Sequence, residues 1–491
     1  MVPEAASRIR HVCRQTSQTD QGQQEIDRDR RALIAALAAG ALLGPSACGP
    51  TRQESEKATN EDDGKDHQAD SYDHRPLLPG VEPVMRVRLA RIRGEDARAL
   101  SAFTLGVAGQ RLWVTTPELV RPGRVVYGPV DVRAADGGWI LSSAGRKRHG
   151  REQIQTATPL AFSAIDRKPI AYQGNDLKGT LHLVRRTDLA PGDFDLVSHI
   201  DMEAYLPGVL HKELYADWPV STFQAQAIAA RSFGVCERNF WRSRRHYDVV
   251  AGPASQAWSG GDAAPRAHEA VEGTSGLVLT WQGRLFPAYY SAACGGLPAS
   301  GADAIGSNPA NAIAPLSVLS PTQRRIQGCC EESPYASWQV AFNKAEVARA
   351  LASYANTHGR RDLLGINRIQ AIEVASRNPA GRPTRYILQG TRTTTIGAET
   401  LRRALNQISR ESQGSSGLRA SCIEFRTTPS GIEGRGRGFG HGVGLCQYGA
   451  RTMGRSGASA ESILARYYPG ATVARGWDPP VGRSRGSVVG A

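Results

Sequence analysis

Lysine is scarce, with 7 residues in a chain of 491. The net charge is still +14, because Arg supplies the rest of the 60 basic residues against 46 acidic ones. An Arg-dominated basic balance suits an anionic polymer, whether nucleic acid, anionic lipid or acidic glycan. No CxxC pair with zinc-finger spacing occurs among the eight cysteines, and no GxxxxGK[ST] loop is present. Those absences remove the commonest structural-zinc and phosphate-cradle readings. No internal repeat is found, which excludes a solenoid. The longest candidate apolar stretch, Ala32–Gly44, has 13 residues, short of the roughly 20 that a spanning helix needs. What is present is ordinary for a globular chain: 40% apolar and 22% charged residues. The length allows about three domain-sized units.

Arg28, Arg30 and Arg31 precede the apolar stretch, and Pro45-Ser46-Ala47-Cys48 follows it. A basic segment, an apolar core and small residues describe an export signal. Cys48 after Ser-Ala resembles a bacterial lipobox, so residues 1–48 read as an N-terminal extension with a signal or lipid-anchor segment. The expected location is the cell envelope, in the periplasm or tethered to a membrane by a lipid. Residues 49–80 read as a polar tether, with eight acids against four Lys/Arg from Gly49 to Pro79. An exported chain with no recognised nucleic-acid module is not expected to bind nucleic acid.

The fold class expected is α+β: a β-rich N-terminal region followed by a mixed α/β catalytic region with a Gly-rich C-terminal motif. Met85, Val87 and Leu89 alternate with Arg86 and Arg88 as in a strand. Strand-like runs recur to Ile200, which defines a β-rich region over 84–200. Helical spacing begins after Asp201, with Tyr205, Val209 and Leu210 on one side of a first helix. Pro219 interrupts it, and a second helix is expected over Phe223–Cys236, capped by Ser221 or Thr222. Further on, strands are expected near Leu277–Trp281, Phe286–Tyr290, Ala371–Ser376 and Thr384–Leu388, and helices near Lys344–Tyr354 and Ala460–Tyr467. The mixed region ends near residue 475, and 476–491 read as a disordered tail.

Four stretches carry side chains suited to chemistry. In Glu203-Ala-Tyr205-Leu206-Pro207-Gly208-Val209-Leu210-His211-Lys212-Glu213-Leu214, the last Glu precedes a loop holding Tyr215, Asp217 and Trp218. A carboxyl among aromatic and apolar groups can have its pKa raised and act as a general acid; on spacing alone a surface Glu on a helix is much the commoner case. Asp217 would share its face if the helix continued. In Ala225-Gln226-Ala227-Ile228-Ala229-Ala230-Arg231, the lone cation on a small, apolar helix needs a carboxylate, either of the protein or of a ligand. Cys294, beside Gly295-Gly296, and Cys329-Cys330 read as disulfide partners or buried thiols, with a thiolate metal site as the rival; no His adjoins Cys294. Gly438-Phe439-Gly440-His441-Gly442-Val443-Gly444-Leu445-Cys446-Gln447-Tyr448-Gly449-Ala450 brings main chain close to something. His441 could bond a ligand or sit in the core. Cys446 with His441 as base is a weak nucleophile pair, since no third orienting group is visible.

These stretches, with Ser255-Gln256-Ala257-Trp258-Ser259-Gly260 and Tyr467-Tyr468-Pro469-Gly470, stand in the order seen in the stage II sporulation protein D / amidase enhancer (SpoIID/LytB) family of bacterial cell-wall proteins. The chain resembles that family from about Val84 to Val473. The resemblance implies lytic cleavage of peptidoglycan glycan strands, with Glu213 as acid and base. It also implies substrate contacts from Tyr205, Arg231, Gln256, His441 and Gln447. Its alternative is a non-catalytic, glycan-holding enhancer of an N-acetylmuramoyl-L-alanine amidase. Partners implied are glycan strands, a cell-wall amidase and a membrane reached through the lipid anchor. No cofactor is expected. Some relatives hold zinc near the His-Ser pair, but Ser291 and Ala292 occupy that place here, which argues against it. Gln224 stands for the family's Lys, and Leu214 for Met. Trp218 and Trp258 fit either sugar stacking or core.

Overall fold

The computed structural model describes residues 75–94, 103–116, 123–135, 138–145, 148–155, 158–252, 255–258, 260–261, 263–306, 308–318, 330–408 and 417–479. The signal, the lipobox Cys48, the tether up to residue 74 and Cys329 lie outside these residues. Among the described residues no helix is long and apolar enough to cross a membrane.

The α+β class holds, and the β-rich half comes first. Its main element is a seven-stranded sheet. Val84–Ile92 pairs antiparallel with Phe194–Asp201, and that strand pairs with Thr180–Arg185. Leu160–Ala164, Arg111–Thr115 and Arg124–Tyr127 continue the sheet outward. The alternation read in the first strand is physical: Met85 and Val87 are fully buried. Phe103, Trp139, Phe194 and neighbouring aliphatics form one core between this sheet and the meander over Val130–Gln155.

The last long strand leads directly into α1 (Met202–Glu213). Pro207 lies inside α1 and forfeits one ladder bond there. Leu214 ends the helix in extended backbone. After a turn, α2 runs over Val220–Trp241, longer at both ends than the sequence pattern predicts. The expected Ser221 or Thr222 cap is corrected. Pro219 is the N-cap, and Thr222 Oγ1 instead donates to the Ala450 carbonyl at 3.1 Å. Phe223, Ala225, Ala227, Ile228, Ala229 and Ala230 are buried, so α2 is the central rod of the second core. Complete burial of a side chain such as Phe223 is worth about 2–3 kcal/mol.

Helix α3 (Pro265–Gly273) and the strand Leu277–Trp281 pack on α2. The short α4 (Gly301–Ala304) follows. A third core then opens within the region read as one unit. Strand Trp338–Phe342, α5 (Lys344–Thr357), strands Ile369–Arg377 and Pro383–Gly390, and α6 (Ala398–Leu405) surround Leu351, Tyr386 and Leu401. The expected strand over Phe286–Tyr290 is reduced to Arg284–Leu285 and Tyr290–Ser291. Helices α7 (Gln447–Arg455) and α8 (Ala460–Tyr467) return the chain to α2.

The folded body begins before residue 80 and runs past residue 475, beyond the margins the composition implied. Arg75 is buried, with its guanidinium 4.7 Å from the Trp281 ring centroid. Trp477 is 2% exposed and bridges to Gly80. The tether's end and the start of the tail are therefore folded onto the second core.

Candidate functional site

Glu213 is the last residue of α1, where the helix stops and the chain turns through Tyr215 and Trp218. It lies partly buried against a cleft of about 490 Å³. Phe233 and Glu237 of α2 form one wall, four residues apart and so on one helix face. Tyr289, Tyr290 and Ser291 form the next. The Gly-rich stretch contributes Phe439, Gly440 and His441, and the start of α7 contributes Gln447 and Tyr448.

The glycines have a mechanical reason. Gly440 has φ +93°, and a Cβ there would stand 2.8 Å from Ser291 Cβ. Gly444 has φ +66°, and a Cβ there would stand 2.1 Å from the Tyr289 carbonyl oxygen. Only glycine lets this stretch pair Leu445–Cys446 in parallel with Tyr290–Ser291. That pairing carries Gln447 to the cleft.

Gln447 Nε2 donates to Glu213 Oε2 at 3.0 Å. Burial raises the Glu213 pKa; the bonds from Gln447 and from the Ala257 backbone only partly oppose it. No cation figures among these influences, so the protonated form is favoured beyond its usual range. Glu237 is the second carboxyl on the cleft. Burial pushes its pKa up to about 7, against a bond donated by Trp241 Nε1 at 3.2 Å. The motifs gave no sign of Glu237; the (i, i+4) spacing from Phe233 on a buried helix was the available signal.

The other sequence-predicted residues divide. His441 lines the cleft, but its Nδ1 accepts the Val443 N–H at 3.0 Å, and burial drives its pKa down to about 4. It is a neutral wall residue. Tyr205 and Gln256 are fully buried behind the wall. The Tyr205 hydroxyl donates to Gln256 Oε1 at 3.2 Å, and Gln256 Nε2 donates to the Tyr290 hydroxyl at 3.1 Å. They set the position of Tyr290 and do not themselves line the cleft.

Arg231 is a correction. It is fully buried, and its Nε and Nη2 pair with the two Glu203 oxygens at 3.0 and 2.8 Å. The helix cation took the protein's own carboxylate, and among the described residues Lys212 brings an amine to the cleft lining. Asp217 is also corrected: α1 ends before it, and it lies exposed in the turn. Trp258 is core, donating from Nε1 to the Tyr205 carbonyl at 3.1 Å, whereas Trp218 lines the cleft beside Tyr448, ring centroids 5.1 Å apart.

The Cys446–His441 pair is not formed. Cys446 is buried, accepts the Cys294 N–H at 3.4 Å and lies off the cleft lining. Cys294 Sγ lies 3.8 Å from Cys330 Sγ, well beyond the roughly 2.05 Å of a disulfide. Of the two expected states, these two residues take the buried-thiol one.

The family described as stage II sporulation protein (SpoIID) matches residues 191–281. A domain of unknown function, DUF8618, matches residues 322–444, the stretch that includes the third core. An uncharacterized protein from Brachyspira hyodysenteriae is 25% identical over 285 residues, 57% of this chain and 68% of that one. The amidase enhancer of Bacillus subtilis is 24% identical over 296 residues, 55% of this chain and 40% of that protein. The stage II sporulation protein D of Bacillus amyloliquefaciens is 24% identical over 334 residues, 63% and 87% of the two chains. The matched segment 191–281 contains Glu213, α1 and α2, so the likeness to the SpoIID family falls on the stretch that positions the cleft carboxyl.

Proposed function

We propose that this protein acts on the bacterial cell wall, cleaving peptidoglycan glycan strands by lytic transglycosylation at Glu213. The observation that carries the reading is the Glu213 carboxyl, its pKa raised by burial and held by a neutral amide in an aromatic-walled cleft that Glu237 also lines. The names of the matched sporulation and amidase-enhancer relatives support the cell-wall setting.

The chemistry follows from a single proton donor. Hydrolytic glycosidases ordinarily use two carboxylates, one as acid and one to direct water or act as nucleophile. Here the protonated Glu213 donates to the glycosidic oxygen as the bond from muramoyl C1 breaks. The carboxylate left behind takes the proton of the same sugar's C6 hydroxyl, whose oxygen bonds to C1. A 1,6-anhydro end forms, no water is consumed, and Glu213 returns to its starting protonation state. Intramolecular attack needs no positioned water, which accounts for one acid sufficing. Gln447 orients the carboxyl without supplying a charge that would ionise it. Trp218 and Tyr448 are buried and back the cleft wall, the half-buried Tyr215 offers its ring to a sugar, and Lys212 offers a cation to a lactyl carboxylate.

The test is digestion of peptide-stripped strands by the full chain. Anhydro-muramoyl products that vanish in Glu213→Gln support the proposal; products that persist in that variant overturn it. The amidase-enhancer relative favours one second reading, a glycan-holding partner of an amidase. Strand binding without cleavage, equal in the wild type and Glu213→Gln, would establish that reading instead.

A further inference from the structure

A second hollow, of about 550 Å³, opens where the third core meets the loop that holds Leu297. Trp338, Ile423, Glu424, Arg435 and Arg437 are among the residues that line it. It shares no lining residue with the cleft, yet the two are close along the chain. Tyr335 lines the cleft and Trp338 the hollow; Arg437 lines the hollow and Phe439 the cleft. These two segments are bonded to each other. The Gly438 N–H donates to the Tyr335 carbonyl at 2.8 Å, and Trp338 Nε1 donates to the Gly438 carbonyl at 2.8 Å. One partition therefore borders both hollows.

The charge of the second hollow is one-sided. Arg435 and Arg437 are exposed and stand two residues apart, on one side of the chain as it leaves the strand Ile432–Gly436. Among the described residues neither guanidinium has a hydrogen bond or an ion pair. Glu424 stands opposite Arg435 in the sheet register, but Arg377 already takes both its oxygens, at 2.7 and 3.0 Å. The buried Cys422 thiol, pushed up by burial, adds no anion.

We propose that this hollow is a second subsite for the glycan strand, in which Arg435 and Arg437 hold a lactyl carboxylate on a sugar away from the bond being cut. The inference rests on the cleft's ligand being such a strand. Two observations choose that occupant. A guanidinium presents a planar fork that matches a carboxylate with two parallel N–H bonds. The chain from Arg437 to Phe439 spans at most about 7 Å, so a polymer leaving the cleft past Phe439 meets the arginines next. A stem peptide converts the lactyl carboxylate to an amide and removes the charge. The subsite would therefore read both the length of a strand and whether its units are stripped.

The test is binding of peptide-stripped strands of graded length to full-chain Glu213→Gln, with cleavage by the wild type measured alongside. Affinity per repeat unit should rise about tenfold or more once a strand is long enough to reach both hollows. That gain should vanish when Arg435→Ala and Arg437→Ala are added together, and persist when Arg426→Ala is added instead. It should also vanish on strands whose lactyl carboxylates have been reduced to alcohols. Should the double variant fail to fold, the reduced strands decide alone. No gain with length, or a gain that survives in the double variant or on reduced strands, would overturn the subsite. An arginine-dependent gain without any cleavage would keep the subsite and sink the lytic reading; cleavage with an arginine-independent affinity would do the reverse.

Discussion

The two ends of α1 carry the same side chain in opposite surroundings. At its start, Glu203 is buried against Arg231 in a two-point ion pair and also accepts the Gly276 N–H at 2.9 Å. At its end, Glu213 meets a neutral amide and a cleft. A helix can thus hold one carboxylate for architecture and offer another for proton transfer, with the neighbour's charge as the deciding variable. The three turns between the two ends keep the chemistry away from the ion pair.

Breaking the first end should have the largest effect. Arg231→Ala leaves a buried, uncompensated Glu203, and a loss of about 3–5 kcal/mol is expected in urea unfolding. Any fall in activity should follow the folded fraction. If Arg231→Ala instead kept its stability and lost only glycan affinity, the architectural role would be wrong.

Breaking the second end should spare the fold. Glu213→Gln should lower the cleavage rate by about 10²–10⁴-fold. Its effect on stability has a definite sign. The folded pKa is raised, so the wild type loses stability as pH climbs from the unfolded value of 4.5 to the folded one. The variant escapes that loss and should be at least as stable at neutral pH.

Glu237 sharpens the comparison as a third carboxyl, with a folded pKa of about 7. The wild type should lose stability between about pH 4.5 and 7 because of it, then level off. Glu237→Gln should therefore gain about 1–3 kcal/mol at pH 8 and nothing near pH 4.5. Paired unfolding curves at the two pH values check this. Gln447→Leu should have the smallest effect, a roughly tenfold lower rate. Because the lost bond lowers the Glu213 pKa, the alkaline limb of the pH–rate profile should move upward.

Much of this was legible in the residues. The alternation around Met85 and Val87 located the first strand, and the pattern over Ala460–Tyr467 matched α8 at both ends. Local patterns succeed where one face alone decides the structure. They failed where a distant partner decides. Nothing near Thr222 reveals that Ala450 will claim its hydroxyl. Nothing near Arg231 chooses between Glu203, 28 residues back, and a ligand. The third core was hidden because its strands and helices follow the same periodicities as those around them. Glu213 stood out by motif, but its raised pKa comes from burial among distant segments, and the partner that opposes the rise, Gln447, lies 234 residues away. Cys294 and Cys330 stood out in the residues, whereas the approach of Cys446 to Cys294 depends on the distant Gly-rich stretch.

The most direct measurement is isotopic. Peptide-stripped strands digested by the full chain in ¹⁸O-labelled water should yield muramoyl ends free of label, because the C6 oxygen already in the sugar closes on C1. Labelled reducing ends would mean that water attacks instead, and would contradict a single-carboxyl, intramolecular role for Glu213.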